Sequence, residues 1–278
     1  MPSLLCLHQT MPPVRTPRPP FSRIVVAVDS SEASERALSL AISLARGDTR
    51  VELVFCHVID VPRMVARADY LTDDYEVSLE TARREALGLL DRCLAAAEKA
   101  DVFGRSCLRY GAPADEVTTL AAVFAADLIV IGRSCHDRIH RILNGSVPDD
   151  IVRTSALPVL VAGATGSEPV LHDGCVLAEL ADGSELSAPL RTASALASAY
   201  GAELMCLPEM KSARARSEAV EAAIRDLHPA LFVIGAPSKQ RWYGRFLPNA
   251  VERTLQMVSA PVLVVRTRAR RSYNDLVA

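Results

Sequence analysis

Short apolar runs alternate along the chain with longer stretches in which apolar residues recur every three or four positions. Each run is a few residues long and rich in valine, isoleucine and leucine, which is typical of strands buried on both faces. The longer stretches are typical of amphipathic helices. This alternation predicts an α/β fold with an open parallel sheet covered by helices on both sides. The predicted strands are 24–28, 51–58, 102–110, 128–131, 159–161, 176–181, 203–207, 231–234 and 262–265.

Part of this pattern occurs twice. Gly132 and Pro158, which flank one loop–helix unit, are followed 103 positions later by Gly235 and Pro261. A constant offset at two anchors predicts a duplicated domain, and the second copy is shorter by roughly 50 residues, because one strand–helix unit is missing. An open sheet tolerates that loss only at an edge. The predicted organisation is a disordered Pro-rich leader over 1–20, a first domain over 21–163, a degenerate second domain over 173–268 and a tail over 269–278.

Composition excludes several classes of protein. The chain has 278 residues, half of them hydrophobic, which is enough for two domains with full cores. A net charge of −2 gives no reason to expect nucleic-acid binding, and no apolar run approaches the roughly 18 residues that span a bilayer. Seven cysteines without a CxxC pair indicate reduced thiols, and the expected location is therefore the cytoplasm.

A candidate for chemistry follows the predicted strand 128–131. Gly132 ends that strand, and Gly145 and Ser146 precede an apolar-periodic helix with Pro148 in its first turn. Strand, loop, Gly-Ser and helix together present backbone N–H groups to an anion at a helix N-terminus. The alternative is that Gly132 is only a turn and Ser146 only a helix cap. The loop also carries basic residues that could pair with phosphate or stay solvated: Arg133, His136, Arg138, His140 and Arg141.

These residues resemble the universal stress protein family. Its signature is G-x2-G-x9-G-[S/T] after the fourth strand, and Gly132, Gly145 and Ser146 stand at that spacing, with Cys135 in the place of the second glycine. The phrase that ends in Asp29, before a Ser-rich helix start, also resembles the family. As in the family, a predicted strand precedes the signature and another follows it.

The resemblance covers 24–163 well and 176–265 in part, so it identifies the chain as a tandem member with a degenerate second copy. It implies Rossmann-like sheets of strand order 3-2-1-4-5, in which the third strand is an edge that the second copy can lose. The same order places the ends of strands one and four side by side, at the switch point where open α/β sheets bind ligands. Asp29 and Gly132 end those two strands.

The resemblance further implies an ATP site, with Mg²⁺ as an optional companion. Asp29, Val58 and Ile131 would surround adenine and ribose, and Val147 would continue the phosphate shell. The residues assigned to the pocket on this basis are Ala27, Val28, Asp29, Val58, Ile131, Gly132, Ser134, Cys135, Gly145, Ser146 and Val147.

Two departures from the family pattern change this expectation. Cys135 adds a Cβ beside the phosphates and costs about 1 kcal/mol if the position needs a positive φ, so it weakens binding without abolishing it. In the second copy, Pro248 and Asn249 stand where the first has Gly145 and Ser146, and proline has no N–H to donate. Nucleotide is therefore expected once per chain.

The resulting hypothesis is a cytoplasmic, ATP-binding, non-catalytic stress-response or regulatory protein. No catalytic residues and no metal ligands are predicted. The two fifth strands, 159–161 and 262–265, are expected to pair the domains within the chain, and a homodimer is left open. The alternatives are a nucleotide-free, dimeric interaction module of the same fold and a slow ATPase. Partners other than adenine nucleotide are not predicted, and neither nucleic acid nor membrane is expected.

Overall fold

The computed structural model describes residues 20–67, 74–133, 147–163, 174–179, 188–208, 210, 212–237 and 249–267, together with the backbone of residues 5–6. Its strands are β1 Leu5–Cys6, β2 Arg23–Ala27, β3 Glu52–Ile59, β4 Gly104–Tyr110, β5 Leu128–Ile131, β6 Val159–Val161, β7 Cys175–Glu179, β8 Glu203–Leu207, β9 Leu231–Pro237 and β10 Val262–Thr267. Its helices are α1 Glu32–Ala45, α2 Val61–Arg67, α3 Asp74–Lys99, α4 Pro113–Val123, α5 Val147–Thr154, α6 Ala188–Tyr200, α7 Ala213–Leu227 and α8 Asn249–Met257.

The first copy is a parallel sheet with the order β4-β3-β2-β5-β6. This is the order 3-2-1-4-5, and the predicted α/β fold is confirmed. Successive residues of β2 face opposite cores, because side chains alternate along a strand. Val26 packs on the side of α1, whereas Val25 packs on the side of α4, and neither has any exposed surface.

The second copy has the order β8-β7-β9-β10, also parallel. Only α7 connects β8 to β9, so the strand that corresponds to β4 is missing, at an edge as the sequence predicts. The place beside β8 is taken by β1, which pairs antiparallel with Leu5 opposite Cys206. The prediction of a leader without structure therefore does not describe Leu5–Cys6. The physical reason is that the missing strand leaves the backbone groups of β8 unpaired, and such an edge accepts an extended segment.

The two copies meet at their fifth strands. β10 runs antiparallel to β6, with Leu263 opposite Leu160, and this is the strand pair through which the sequence predicts association. The result is one sheet of ten strands. Both cores continue across the junction: Leu160 and Leu263 belong to the core on the side of α1 and α6.

A buried tyrosine also links the copies. Tyr200, at the end of α6, donates a hydrogen bond from its hydroxyl to the carbonyl of Leu44 at 2.7 Å. Leu44 lies in the last turn of α1, where carbonyls lack intrahelical partners. Burial raises the pKa of the Tyr200 hydroxyl, so it remains a donor at neutral pH.

We expect Leu263→Arg to destabilise the whole chain, because Leu263 is 1% exposed and a cation there is buried without a partner. A loss of about 3 kcal/mol or more in the free energy of unfolding is expected. Urea denaturation measures it, with Gln256→Arg on the exposed face of α8 as the matched control. Equal denaturation midpoints for both variants would contradict the buried junction.

Deletion of residues 2–10 should uncover the edge of β8. Amides of Glu203–Leu207 should then exchange faster with deuterium, and the protein should associate more readily, because an open edge pairs with other strands. Hydrogen exchange and light scattering measure the two effects. Replacing both Leu5 and Cys6 with proline removes the N–H donors of β1 and serves as the matched variant. If the amides of β8 exchange with deuterium at the wild-type rate in both variants, this interpretation of β1 is wrong.

Candidate functional site

The candidate site lies where the strand order of the first copy reverses. β2 pairs in parallel with β3 on one side and with β5 on the other, and Val26 is opposite Val130 at the last ladder position. The next residues, Ala27 and Ile131, are the last of their strands, so β2 and β5 end side by side. An open α/β sheet forms a crevice at such a point, since the following connections pass to opposite faces.

Asp29 is anchored to the first turn of α1. Its carboxylate Oδ1 accepts hydrogen bonds from the N–H and the hydroxyl of Ser31, at 2.9 and 2.5 Å. Ser31 caps the helix by accepting from the N–H of Ser34 at 3.2 Å. The backbone N–H of Asp29 donates to the Ser34 hydroxyl at 2.8 Å. These contacts hold the exposed Asp29 carboxylate at the strand end, and the cap Ser31 belongs to the Ser-rich helix start noted in the sequence.

Gly132 packs against the same helical turn. A Cβ at this position would lie 2.2 Å from the carbonyl oxygen of Ala33 and 2.7 Å from the nitrogen of Ser34. No side chain fits there, because the backbone of α1 cannot move without breaking its first turn. The family resemblance assigns Gly132 to the nucleotide pocket. The contact with α1 accounts for the glycine without any ligand.

Three of the apolar candidates share one side of the sheet. Ala27, Val58 and Ile131 all pack on the core formed with α4 and α5. Val28 differs, because its side chain is buried in the opposite core. Its backbone closes the strand end: its N–H donates to the carbonyl of Cys56 at 2.9 Å, and its carbonyl lies 2.8 Å from Nδ1 of His57.

His57 contacts the candidate residue Val28, although the sequence analysis did not assign His57 to the pocket. A carbonyl only accepts hydrogen bonds, so the contact with Val28 places the proton on Nδ1 of the ring. The ring therefore fixes the end of β2 against β3. A histidine at the end of a strand next to a binding crevice was the available signal.

The helix that the sequence analysis expects at the phosphates is α5. This helix begins at Val147, which is 41% exposed, and ends at Thr154. Asp149 and Asp150 lie in its first turn, where carboxylates complement the helix dipole but also repel an approaching anion. Ser134, Cys135, Gly145 and Ser146 lie outside the described residues.

Other candidates for chemistry are few in the described part of the chain. Arg133, two residues after the end of β5, is 8% exposed, so it belongs to the packed interior. Burial raises the pKa of the Cys56 thiol to about 12 and that of Cys175 to about 11, which keeps both as unreactive thiols at neutral pH.

Among the described residues no group of His, Cys, Asp or Glu could hold a metal ion, and His136 and His140 lie outside them. Within the same residues no helix is both long and apolar enough to span a bilayer.

In the second copy, a charged residue stands at the strand end that corresponds to the end of β2. The ladder pairs Ala178 with Val233 as it pairs Val26 with Val130, so Glu179 stands where the first copy has Ala27. The Glu179 carboxylate accepts two hydrogen bonds from Arg216, one of them from Nη2 at 2.6 Å.

A third polar residue completes this cluster. Nη2 of Arg216 also donates to the Thr254 hydroxyl at 3.0 Å. The side chains of Arg216 and Glu179 are 16% and 18% exposed. One repeat earlier, 103 positions away, Arg216 and Thr254 correspond to the apolar Pro113 and Ile151. The polar triad Glu179–Arg216–Thr254 therefore fills, in the second copy, a place that is apolar in the first.

Comparison with known proteins agrees with this architecture. The family model described as the universal stress protein family matches residues 20–163. A universal stress protein of Methanocaldococcus jannaschii is 30% identical over 141 residues, covering 51% of this chain and 81% of that protein. The stress response protein NhaX of Bacillus subtilis is 30% identical over 166 residues, covering 50% of this chain and 96% of that protein.

A likeness in structure extends over most of the chain. A universal stress protein from Archaeoglobus fulgidus matches 88% of this chain and 98% of its own, with a TM-score of 0.60 and 18% identity. At this identity the match concerns the fold alone. It includes the second copy, which the family model does not reach.

We expect Arg216→Met to lower the free energy of unfolding by about 3–5 kcal/mol, because it leaves the Glu179 carboxylate buried without its cation. The matched control is Arg214→Met on the same helix, whose pair with Glu218 is 90% and 63% exposed. An exposed pair of this kind contributes about 0–1 kcal/mol. Urea denaturation measures both, and similarly small losses would show that the triad is not a buried ion pair.

Proposed function

Because this chain belongs to the universal stress protein family, we propose that it is a non-catalytic regulatory protein of the stress response that binds one molecule of ATP in its first copy. The observation that carries the proposal is the convergence of Asp29 and Gly132 on the first turn of α1, at the point where the strand order reverses. Open α/β sheets bind ligands in a crevice at such a point, and we place the exposed Asp29 carboxylate on its rim. We place its action in the cytoplasm.

The proposed roles follow from the chemistry of each position. Ala27, Val58 and Ile131 share the apolar side of the crevice and suit the face of an adenine ring. The Asp29 carboxylate accepts hydrogen bonds and suits a ribose hydroxyl. The N-terminus of α5, which Gly145 and Ser146 precede, suits the phosphates, because its N–H groups have no intrahelical acceptors.

Magnesium belongs to this proposal for an electrostatic reason. Asp149 and Asp150 add negative charge to the first turn of α5, and two carboxylates offset the attraction of the helix dipole for a phosphate chain. A Mg²⁺ ion bound by phosphate oxygens lowers the charge of the ligand and the repulsion with it. ATP with Mg²⁺ should therefore bind more tightly than ATP alone.

We assign the second copy a structural role. The triad Glu179–Arg216–Thr254 supports this assignment, because it fills with hydrogen-bonded polar groups a position that the first copy keeps apolar. Pro248, in the place of Gly145, removes a backbone donor as well. One site per chain is the consequence, with the two copies acting as an internal dimer joined by β6 and β10.

The second candidate function is an interaction module without nucleotide. Two observations favour it: Cys135 replaces a glycine of the family signature, and the packing of Gly132 on α1 needs no ligand to explain it. In that case the family fold would serve only to present a surface. The experiment below separates the two functions.

Purified protein should contain adenine nucleotide detectable by mass spectrometry, and calorimetric titration with Mg²⁺ and ATP should give one site per chain. Cys135→Gly should tighten binding several-fold, about 1 kcal/mol, because it removes the Cβ beside the phosphates. Ser146→Ala should weaken binding, whereas Asn249→Ala, its counterpart in the second copy, should leave the affinity unchanged.

Three outcomes decide between the functions. Absence of binding by both the wild type and Cys135→Gly identifies the interaction module. Two sites per chain would show that the second copy is not closed. Release of phosphate that Ser146→Ala abolishes would identify a slow ATPase in place of a non-catalytic binder.

A further inference from the structure

An arginine of the second copy contacts the phosphate-side helix of the first. Arg266 lies in β10, and its guanidinium donates hydrogen bonds to three carbonyls at the carboxyl end of α5. Nε contacts the carbonyl of Ser155 at 2.9 Å, and Nη2 contacts the carbonyls of Arg153, at 3.2 Å, and Val152. More than a hundred residues separate the arginine from the helix that it contacts.

These contacts stabilise α5 in two ways. The last carbonyls of a helix have no intrahelical donors, and the helix dipole is negative at that end, so a cation there is favourable. Burial lowers the pKa of Arg266 to about 10, which leaves the guanidinium charged at neutral pH. A helix of eight residues has little stability of its own and depends on such tertiary contacts.

The arrangement is not reciprocated by the first copy. The repeat offset of 103 positions places Gly163 where the second copy has Arg266. Gly163 lies against the segment after α8, and a Cβ there would be 2.3 Å from the carbonyl oxygen of Ser259. At this position the first copy therefore offers a close backbone contact, and the second copy offers a cation.

We propose that Arg266 is a positioning residue for the ligand site of the first copy. It acts through α5: by holding the carboxyl end of the helix, it fixes the direction of the amino end, which begins at Val147. The second copy thereby sets the phosphate affinity of the first without touching the ligand. This inference rests on the proposed function, in which the N-terminus of α5 binds the phosphates.

The full chain with Arg266→Met tests the role. Calorimetry with Mg²⁺ and ATP should show a loss of affinity of roughly three- to tenfold, whereas adenosine, which has no phosphate, should bind as to the wild type. Arg266→Lys keeps the charge and should restore part of the ATP affinity. Deuterium exchange of the α5 amides should rise in Arg266→Met while exchange in β2 and α1 stays unchanged.

Arg216→Met is the matched control, because it removes hydrogen bonds to Glu179 and Thr254, which both lie in the second copy. It should lower stability yet leave both the ATP affinity and the exchange of α5 unchanged. Equal weakening of ATP and adenosine in Arg266→Met, or exchange of α5 equal to that of the wild type, would overturn the positioning role. If the wild type binds neither ligand, the proposed function fails, and the exchange of α5 alone then decides whether Arg266 holds the helix.

Discussion

The antiparallel pairing of β6 with β10 is the contact on which the rest of the molecule depends. Each of these strands would be an edge in its own copy, with unpaired N–H and C=O groups open to other chains. Their register, with Leu160 opposite Leu263, satisfies both edges at once and joins the copies into one sheet. Because strand side chains alternate, the same pairing aligns the apolar faces of both copies, and each core continues across the junction.

Once the sheet is joined, side chains of one copy satisfy the backbone of the other. Tyr200 donates to the carbonyl at the end of α1, and Arg266 donates to the carbonyls at the end of α5. Carbonyls at helix ends are costly when they are buried without donors, so these two contacts stabilise helices of the first copy from outside it. The second copy thus contributes to the first whether or not it binds anything itself.

The two copies have diverged in opposite directions from one plan. The first has apolar residues on one side of the candidate crevice, an Asp29 carboxylate that accepts hydrogen bonds from Ser31, and a complete set of strands. The second lacks one strand, and β1 pairs with part of the β8 edge that this loss leaves open. It also holds the buried pair of Glu179 and Arg216 in place of apolar packing. A buried ion pair needs both partners, because either one alone leaves an uncompensated charge. Such a pair stabilises a closed interior rather than an open crevice, and this is the asymmetry that the proposed single ligand site per chain requires.

The features that could be predicted from the amino-acid sequence are those that depend on short-range patterns of residues. Periodicity located the strands, a constant offset revealed the duplication, and a strand-end aspartate with serines after it marked the start of α1. The family resemblance supplied the strand order, which the structure has. These signals lie within a few residues of one another, so a linear reading reaches them.

The contacts between residues far apart in the chain could not be predicted from the sequence. The glycine at position 132 is required by a carbonyl of α1, Glu179 is paired by Arg216, and α5 is capped from β10. The partners in each case are tens of residues or more apart, on elements whose distance depends on the packing of the whole sheet. Hydrophobic periodicity shows which face of a helix or strand is buried, but it does not show which residue of another element lies opposite. A sequence therefore does not distinguish an arginine or a glutamate in solvent from one that is buried against a partner.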